Sequence, residues 1–167
     1  MGRAASAGMI FLWMLLAGHV LYGQEKPMPV INTVFDEASG KRIRGALVVV
    51  ENKSTGDSKS VLCAGGRGRV TLEYGYVYHL IYSADGYHTK KIEVDITNVP
   101  PARQHKLKMD IEVDLFQVIP GFDDRVLDKP MSRALYKFTT NNLGWDTEYY
   151  RERLKEVDAE KARSRAN

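Results

Sequence analysis

The chain has 167 residues, with 24 Lys and Arg against 21 Asp and Glu, 44% hydrophobic residues and one cysteine. These values exclude a disordered, collagen-like or disulfide-stapled chain and fit one ordinary domain after processing. A formal net charge of +3, with acids and bases interleaved, excludes the basic stripe that nucleic acid or an anionic membrane surface would require.

Residues 1–23 read as a secretory signal peptide. Arg3 carries the only formal charge before Glu25, and the apolar run Met9 to Ala17 is about half the length that spans a bilayer. Cleavage is expected just after Gly23; the alternative is an uncleaved anchor. No cysteine lies near the segment's end, which argues against a lipid-anchored product. The protein is therefore expected to be exported, periplasmic or associated with the cell surface, with no membrane span after cleavage. The remaining chain is long enough to bury roughly 68–70% of its unfolded surface without staples. Cys63 has no intramolecular partner and sits among apolar neighbours, so it reads as a small buried hydrophobe.

The apolar residues of the following segments alternate. Val30 to Phe35, Ala46 to Val50, Ser58 to Cys63, Arg69 to Glu73, Tyr76 to Tyr82 and Lys91 to Thr97 read as strands. The alternation is complete from Leu107 to Leu115, with Lys106, Lys108, Asp110, Glu112 and Asp114 on the opposite face. Turn chemistry separates these runs at Ser39-Gly40, Ser54 to Asp57, Gly65 to Gly68, Asp85-Gly86 and Pro100-Pro101. Such close spacing predicts antiparallel neighbours, because parallel strands need crossover connections. The expected fold is an all-β, antiparallel, seven-stranded-type sandwich spanning 24–119. An extension, 120–167, follows. It holds an extended piece at Met131 to Phe138, a turn at Asn141 to Gly144, and a short helix from Asp146 that frays near Ala162. Tyr149, Tyr150, Arg153, Leu154 and Val157 gather on one helix side, and the sandwich face bearing Leu47 and Val49 is the expected partner.

Two stretches resemble a known family. Asp36 to Val50 contains a turn glycine, an apolar residue, the pair Gly45-Ala46 and an alternating strand. Gly68-Arg69-Val70-Thr71-Leu72 and Tyr78 to Tyr87 resemble the Gly-x-Phe-x-Leu strand and the Tyr-x-Leu-x-Val-Ser-Ala-x-Gly-Tyr segment of carboxypeptidase regulatory-like domains. The likeness covers about residues 28–97 and implies a transthyretin-like (prealbumin-like) sandwich. Where that family commonly has Thr-Asp, this chain has Ala64-Gly65. The segment Lys106 to Leu154 is similar to the C-terminal extension of small exported Bacteroidota proteins. The resemblance implies fold and compartment more than function.

Candidate chemistry is sparse. His79, His88 and His105 form no zinc-ligand spacing and read as surface histidines, with His79 pointing away from the face of Tyr78 and Leu80. Asp110, Glu112 and Asp114 read as a solvated strand face. Asp123-Asp124 lacks a calcium-loop ligand order and reads as a turn, and Gly65 to Gly68 reads as a hairpin rather than a phosphate cradle. Tyr150-Arg151 runs into Glu152, which breaks the Tyr-Arg-Gly-Ser signature of the transthyretin-like hydrolase of the urate pathway. No catalytic, cofactor-binding or metal-ligating residue is assigned. The aromatic group Tyr74, Tyr76, Tyr87, Tyr136, Trp145, Tyr149 and Tyr150 offers rings with polar handles, suited to packing or to a partner surface. The expectation is a non-enzymatic module that recognises a cell-envelope protein or glycan. The rival is a small hydrolase or ligand carrier with a site between sandwich and extension, for which His88 or His105 would have to meet Asp123 or Asp124 in a cleft.

Overall fold

The computed structural model describes residues 26–166, so the expected signal segment 1–23 lies outside the described residues. Nine strands follow one another: β1 (Met28–Asp36), β2 (Ala46–Asn52), β3 (Ser58–Cys63), β4 (Arg67–Leu72), β5 (Val77–Ser83), β6 (Lys90–Asp95), β7 (Met109–Leu115), β8 (Ser132–Lys137) and β9 (Asn142–Trp145). A one-turn helix α1 (Pro101–Gln104) precedes β7, a 3-10 turn spans Asp124–Leu127, and helix α2 (Thr147–Ala166) ends the chain. The strands form two sheets, β4-β1-β7 and β3-β2-β5-β6-β8-β9.

This is the expected all-β sandwich. Val30, Val34, Leu72, Ile111 and Leu115 from the smaller sheet meet Val48, Leu80, Tyr82 and Val94 from the larger one, all 4% exposed or less. The period-2 pattern of β7 places Met109, Ile111, Val113 and Leu115 inward and Asp110, Glu112 and Asp114 in solvent. One polar pair lies inside: the Tyr82 hydroxyl donates to Asn32 Oδ1 at 2.6 Å, and both residues are fully buried.

Two pairings depart from the antiparallel expectation. β1 runs parallel to β7 and β6 parallel to β8. Both partners are distant in sequence, and the crossover is made by the intervening sandwich strands rather than by a helix. β3 and β4 also belong to different sheets, so Ala64 to Gly66 turns a corner between layers instead of closing a hairpin. Gly68 serves that corner, since a Cβ there would lie 2.7 Å from Cys63 Sγ. Cys63 itself is fully buried, as its neighbours suggested.

The extension is woven into the sandwich. β8 and β9 supply two of the six strands of the larger sheet, and the expected turn at Asn141 to Gly144 is mostly strand β9. Only Asn141 has a positive φ there. A Cβ at Gly144 would meet the Lys137 side chain at 2.7 Å, so the glycine that suggested a turn is instead a close-packing position. Helix α2 does not fray near Ala162 but continues to Ala166. It docks on β8 and the 3-10 turn, not on Leu47 and Val49. One residue separates β9 from α2, whereas β2 lies three strand spacings from β8, about 14 Å away.

The docked helix face is Arg153, Val157, Lys161 and Ser164, while Tyr150 and Leu154 are 44% and 37% exposed. Val157 joins a second apolar cluster with Phe116, Phe122, Leu127 and Met131. The polar members of the face are satisfied. Arg153 Nε donates to the Pro130 carbonyl at 3.2 Å, its Nη2 to the Val126 carbonyl, and Nη1 to Glu156. Lys161 donates to both Glu37 carboxylate oxygens at 2.7 and 3.0 Å and stands 4.1 Å above the Phe116 ring.

Candidate functional site

Two places bring polar or aromatic groups together. The first joins sandwich and extension. His88, expected at the surface, is 6% exposed, and its ring lies 4.7 and 4.5 Å from the rings of Phe116 and Phe122. Its Nδ1 is 2.6 Å from Asp124 Oδ1, and its Nε2 is 3.0 Å from the backbone nitrogen of Ile119. A backbone N–H can only donate, so Nε2 carries the lone pair and Nδ1–H donates to Asp124. Both ring nitrogens are thus engaged, and the imidazole has no lone pair free to accept a proton from a nucleophile. A cleft of about 440 Å³ opens beside it, lined by Tyr87, Thr89, Lys91 and Asp128 among others. The sequence-stated condition of the rival, His88 beside Asp124, is met, but in the geometry of a brace. The sequence missed this because the two residues are 36 positions apart and only the fold joins them.

The acidic groups of this region hold the extension in place. Glu160 accepts from the Asp123 N–H at 2.9 Å and pairs with Arg163, while Asp123 accepts from Arg125 side chain and backbone. Arg125 beside Asp123 lowers that carboxyl to about 2, and Arg163 together with the Asp123 N–H lowers Glu160 to about 2. Burial raises Glu37, but the Lys161 hydrogen bond and the charges of Lys90 and Lys161 outweigh it and leave the group below its ordinary value. Each folded value lies below the unfolded one, so the stabilisation is complete above pH 4.5 and is lost as pH falls toward about 2. The urea midpoint is expected to fall across that window. In Glu160→Gln it should fall less steeply, and equal acid limbs for the two proteins would contradict this assignment.

The second place is the open side of the sandwich. β3 and β4 close one side, where Lys59 Nζ reaches from β3 to the Thr71 carbonyl of β4 at 2.7 Å. On the other side β8 and β9 extend the larger sheet beyond β7, the last strand of the smaller one. A cleft of about 490 Å³ lies there. Ile92, Ser132 and Trp145 line it from the larger sheet, Tyr150 from α2, and Asp110 and Glu112 from β7. Trp145 is 36% exposed. Of the seven aromatic residues singled out, only Trp145 and Tyr150 meet here. Tyr74 and Tyr136 are core residues, and Tyr149 donates to the Pro130 carbonyl at 2.8 Å beneath Arg133.

The remaining expected residues stand apart from both places. His79 points outward, between Glu93 at 3.1 Å and Glu51 at 3.9 Å, and His105 is exposed beside α1. Among the described residues no group of three or more His, Cys, Asp or Glu has metal-site geometry. Among them, too, no helix is long and apolar enough to cross a membrane.

Fold and site together define a two-sheet β-sandwich domain with one open, aromatic and acidic side. No protein-family profile matches the chain, and no curated protein sequence does. Solved structures that resemble it include the group B streptococcus pilus 2b backbone protein, with 16% identity, 55% of this chain and 42% of that one, and a TM-score of 0.38. A Bacteroides fragilis protein of unknown function shows 23% identity over 55% of this chain and 28% of that one, with a TM-score of 0.40. Catechol 1,2-dioxygenase from Acinetobacter shows 17% identity over 65% and 59%, with a TM-score of 0.42. The chain spans between 28 and 59% of the length of these proteins, and likenesses at these scores carry no functional inference.

Proposed function

We propose that the chain is a non-enzymatic, exported binding or structural module of the cell envelope, built on a carboxypeptidase regulatory-like (transthyretin-like) sandwich, that recognises a protein or glycan partner. The observation that carries this reading is the open side: a sheet edge, β7, beside a cleft where Trp145 and Tyr150 stand exposed over apolar sheet surface. Exposed aromatics in a concave setting combine large contact area with few rotatable bonds, the usual source of binding energy at a partner surface. Export rests on the apolar segment at Met9 to Ala17, and the family on the motif stretches quoted above.

A hydrolase or ligand carrier at the sandwich–extension junction is the second reading, favoured by the His88–Asp124 contact beside a cleft. The engagement of Nε2 by Ile119 weighs against it. Immobilised protein exposed to envelope extract is expected to retain a component that Trp145→Ala/Tyr150→Ala loses. Identical retention by both proteins would overturn the assignment of the cleft. Turnover of an ester or glycoside that His88→Gln abolishes would support the second reading instead.

A further inference from the structure

We propose that the open side takes an extended peptide with lysine or arginine at alternate positions, added as a fourth strand on the free edge of β7. This deepens the binding-module reading and rests on it. β7 pairs only with β1, so one row of its backbone N–H and C=O groups has no strand partner among the described residues. The larger sheet already reaches beyond that edge through β8 and β9, so an added strand would have a floor to pack on rather than open solvent. An apolar side chain of that strand fits the cleft against Ile92 and Trp145.

Charge selects the occupant. Asp110 and Glu112 alternate along β7, about 7 Å apart, both exposed and without a cationic partner among the described residues. A strand in register places its own alternate side chains on the same face, opposite these carboxylates, where opposite charges attract and like charges repel. The far edge of the same sheet has the reverse polarity, with Arg67 and Arg69 on β4 aligned with Thr33 and Ile31 of β1. One carbonyl of that edge, Thr71, already accepts from Lys59. Its arginines repel a basic peptide, so it does not compete for that occupant. A glycan would use the aromatic rings but would leave the β7 backbone and the two carboxylates without partners.

The test titrates the purified protein with blocked heptapeptides: alternating lysine and valine, alternating glutamate and valine, and the lysine–valine composition in two blocks. An N-acetylglucosamine tetramer is the fourth probe. The alternating lysine peptide is expected to bind about tenfold more tightly than the other peptides and to raise amide-exchange protection within residues 109–115. Asp110→Asn/Glu112→Gln, two exposed near-isosteric changes, should reduce that affinity about tenfold. Equal affinity for all three peptides, unchanged protection of β7, saccharide binding in place of peptide, or self-association of the chain through this edge would each overturn the proposal. If any of these accompanies a Trp145-dependent capture of an envelope component, the binding module stands and only the basic strand is wrong.

Discussion

Replacing His88 by alanine is expected to destabilise the protein by about 3–5 kcal/mol, an effect that falls mainly on the C-terminal extension. The ring fills the space between Phe116 and Phe122, and its loss leaves a cavity in the smaller apolar cluster. It also strands two polar groups. The Ile119 N–H loses its acceptor, and Asp124 loses its donor. Asp124 is largely exposed and can turn to water, so most of the polar cost belongs to Ile119. His88→Phe keeps the space filled, with a slightly larger ring, and removes the hydrogen bonds, so it should cost about 1–3 kcal/mol. Urea unfolding gives the magnitudes, and amide exchange gives the location, with α2 and residues 116–131 opening before the sandwich strands. Uniform loss of protection through β1 to β7 would show that His88 supports the main core instead.

Arg153→Ala is expected to cost about 2–4 kcal/mol: roughly 1–3 for the Val126 carbonyl, which loses its donor, and about 1 for the bond lost at Pro130, which keeps the Tyr149 hydroxyl. The Val126 carbonyl receives its hydrogen bond from this guanidinium, which is 3% exposed, and the Pro130 carbonyl accepts from it together with the Tyr149 hydroxyl. The planar fork is what lets one side chain serve two loops at once. Arg153→Lys keeps the charge but cannot reproduce that geometry, so it should recover less than half of the loss. Full recovery by lysine in thermal or urea unfolding would mean that charge, not shape, is what matters here. Glu156 adds little, since its carboxylate is half exposed.

The sandwich was legible because its signal is local. A period of two, as in Leu107 to Leu115, needs only neighbouring residues to be recognised, and β7 takes the predicted faces. Partner choice is not local, so the parallel pairs β1–β7 and β6–β8 left no mark on either strand's pattern. Helix α2 misled for a different reason. Its docked face follows the helical period through Arg153, Val157, Lys161 and Ser164, but three of the four are polar. The expected face therefore takes in Arg153 and Val157, which dock, but also Tyr150 and Leu154, which point to solvent, and it omits Lys161 and Ser164. Long cationic side chains can bury their stems and still satisfy their heads, as Lys161 does between Phe116 and Glu37.

The two candidate places differed in the same way. Asp110 and Glu112 read correctly as solvated residues, whereas Tyr150, expected to pack on the sandwich, stands exposed near Trp145. That they face one cleft depends on β8 and β9 joining the larger sheet, which no spacing in the sequence encodes. His88 likewise lacks any sequence neighbour that announces a buried brace.

The most direct test places a photoreactive residue at Tyr150, beside the cleft, and in a second variant at Leu62, an exposed apolar position on β3 at the far edge of the larger sheet. Irradiation of intact cells is expected to give a discrete adduct from position 150 and none from position 62. Adducts from position 62 alone, or the same adducts from both, would contradict a binding surface on the open side of the sandwich.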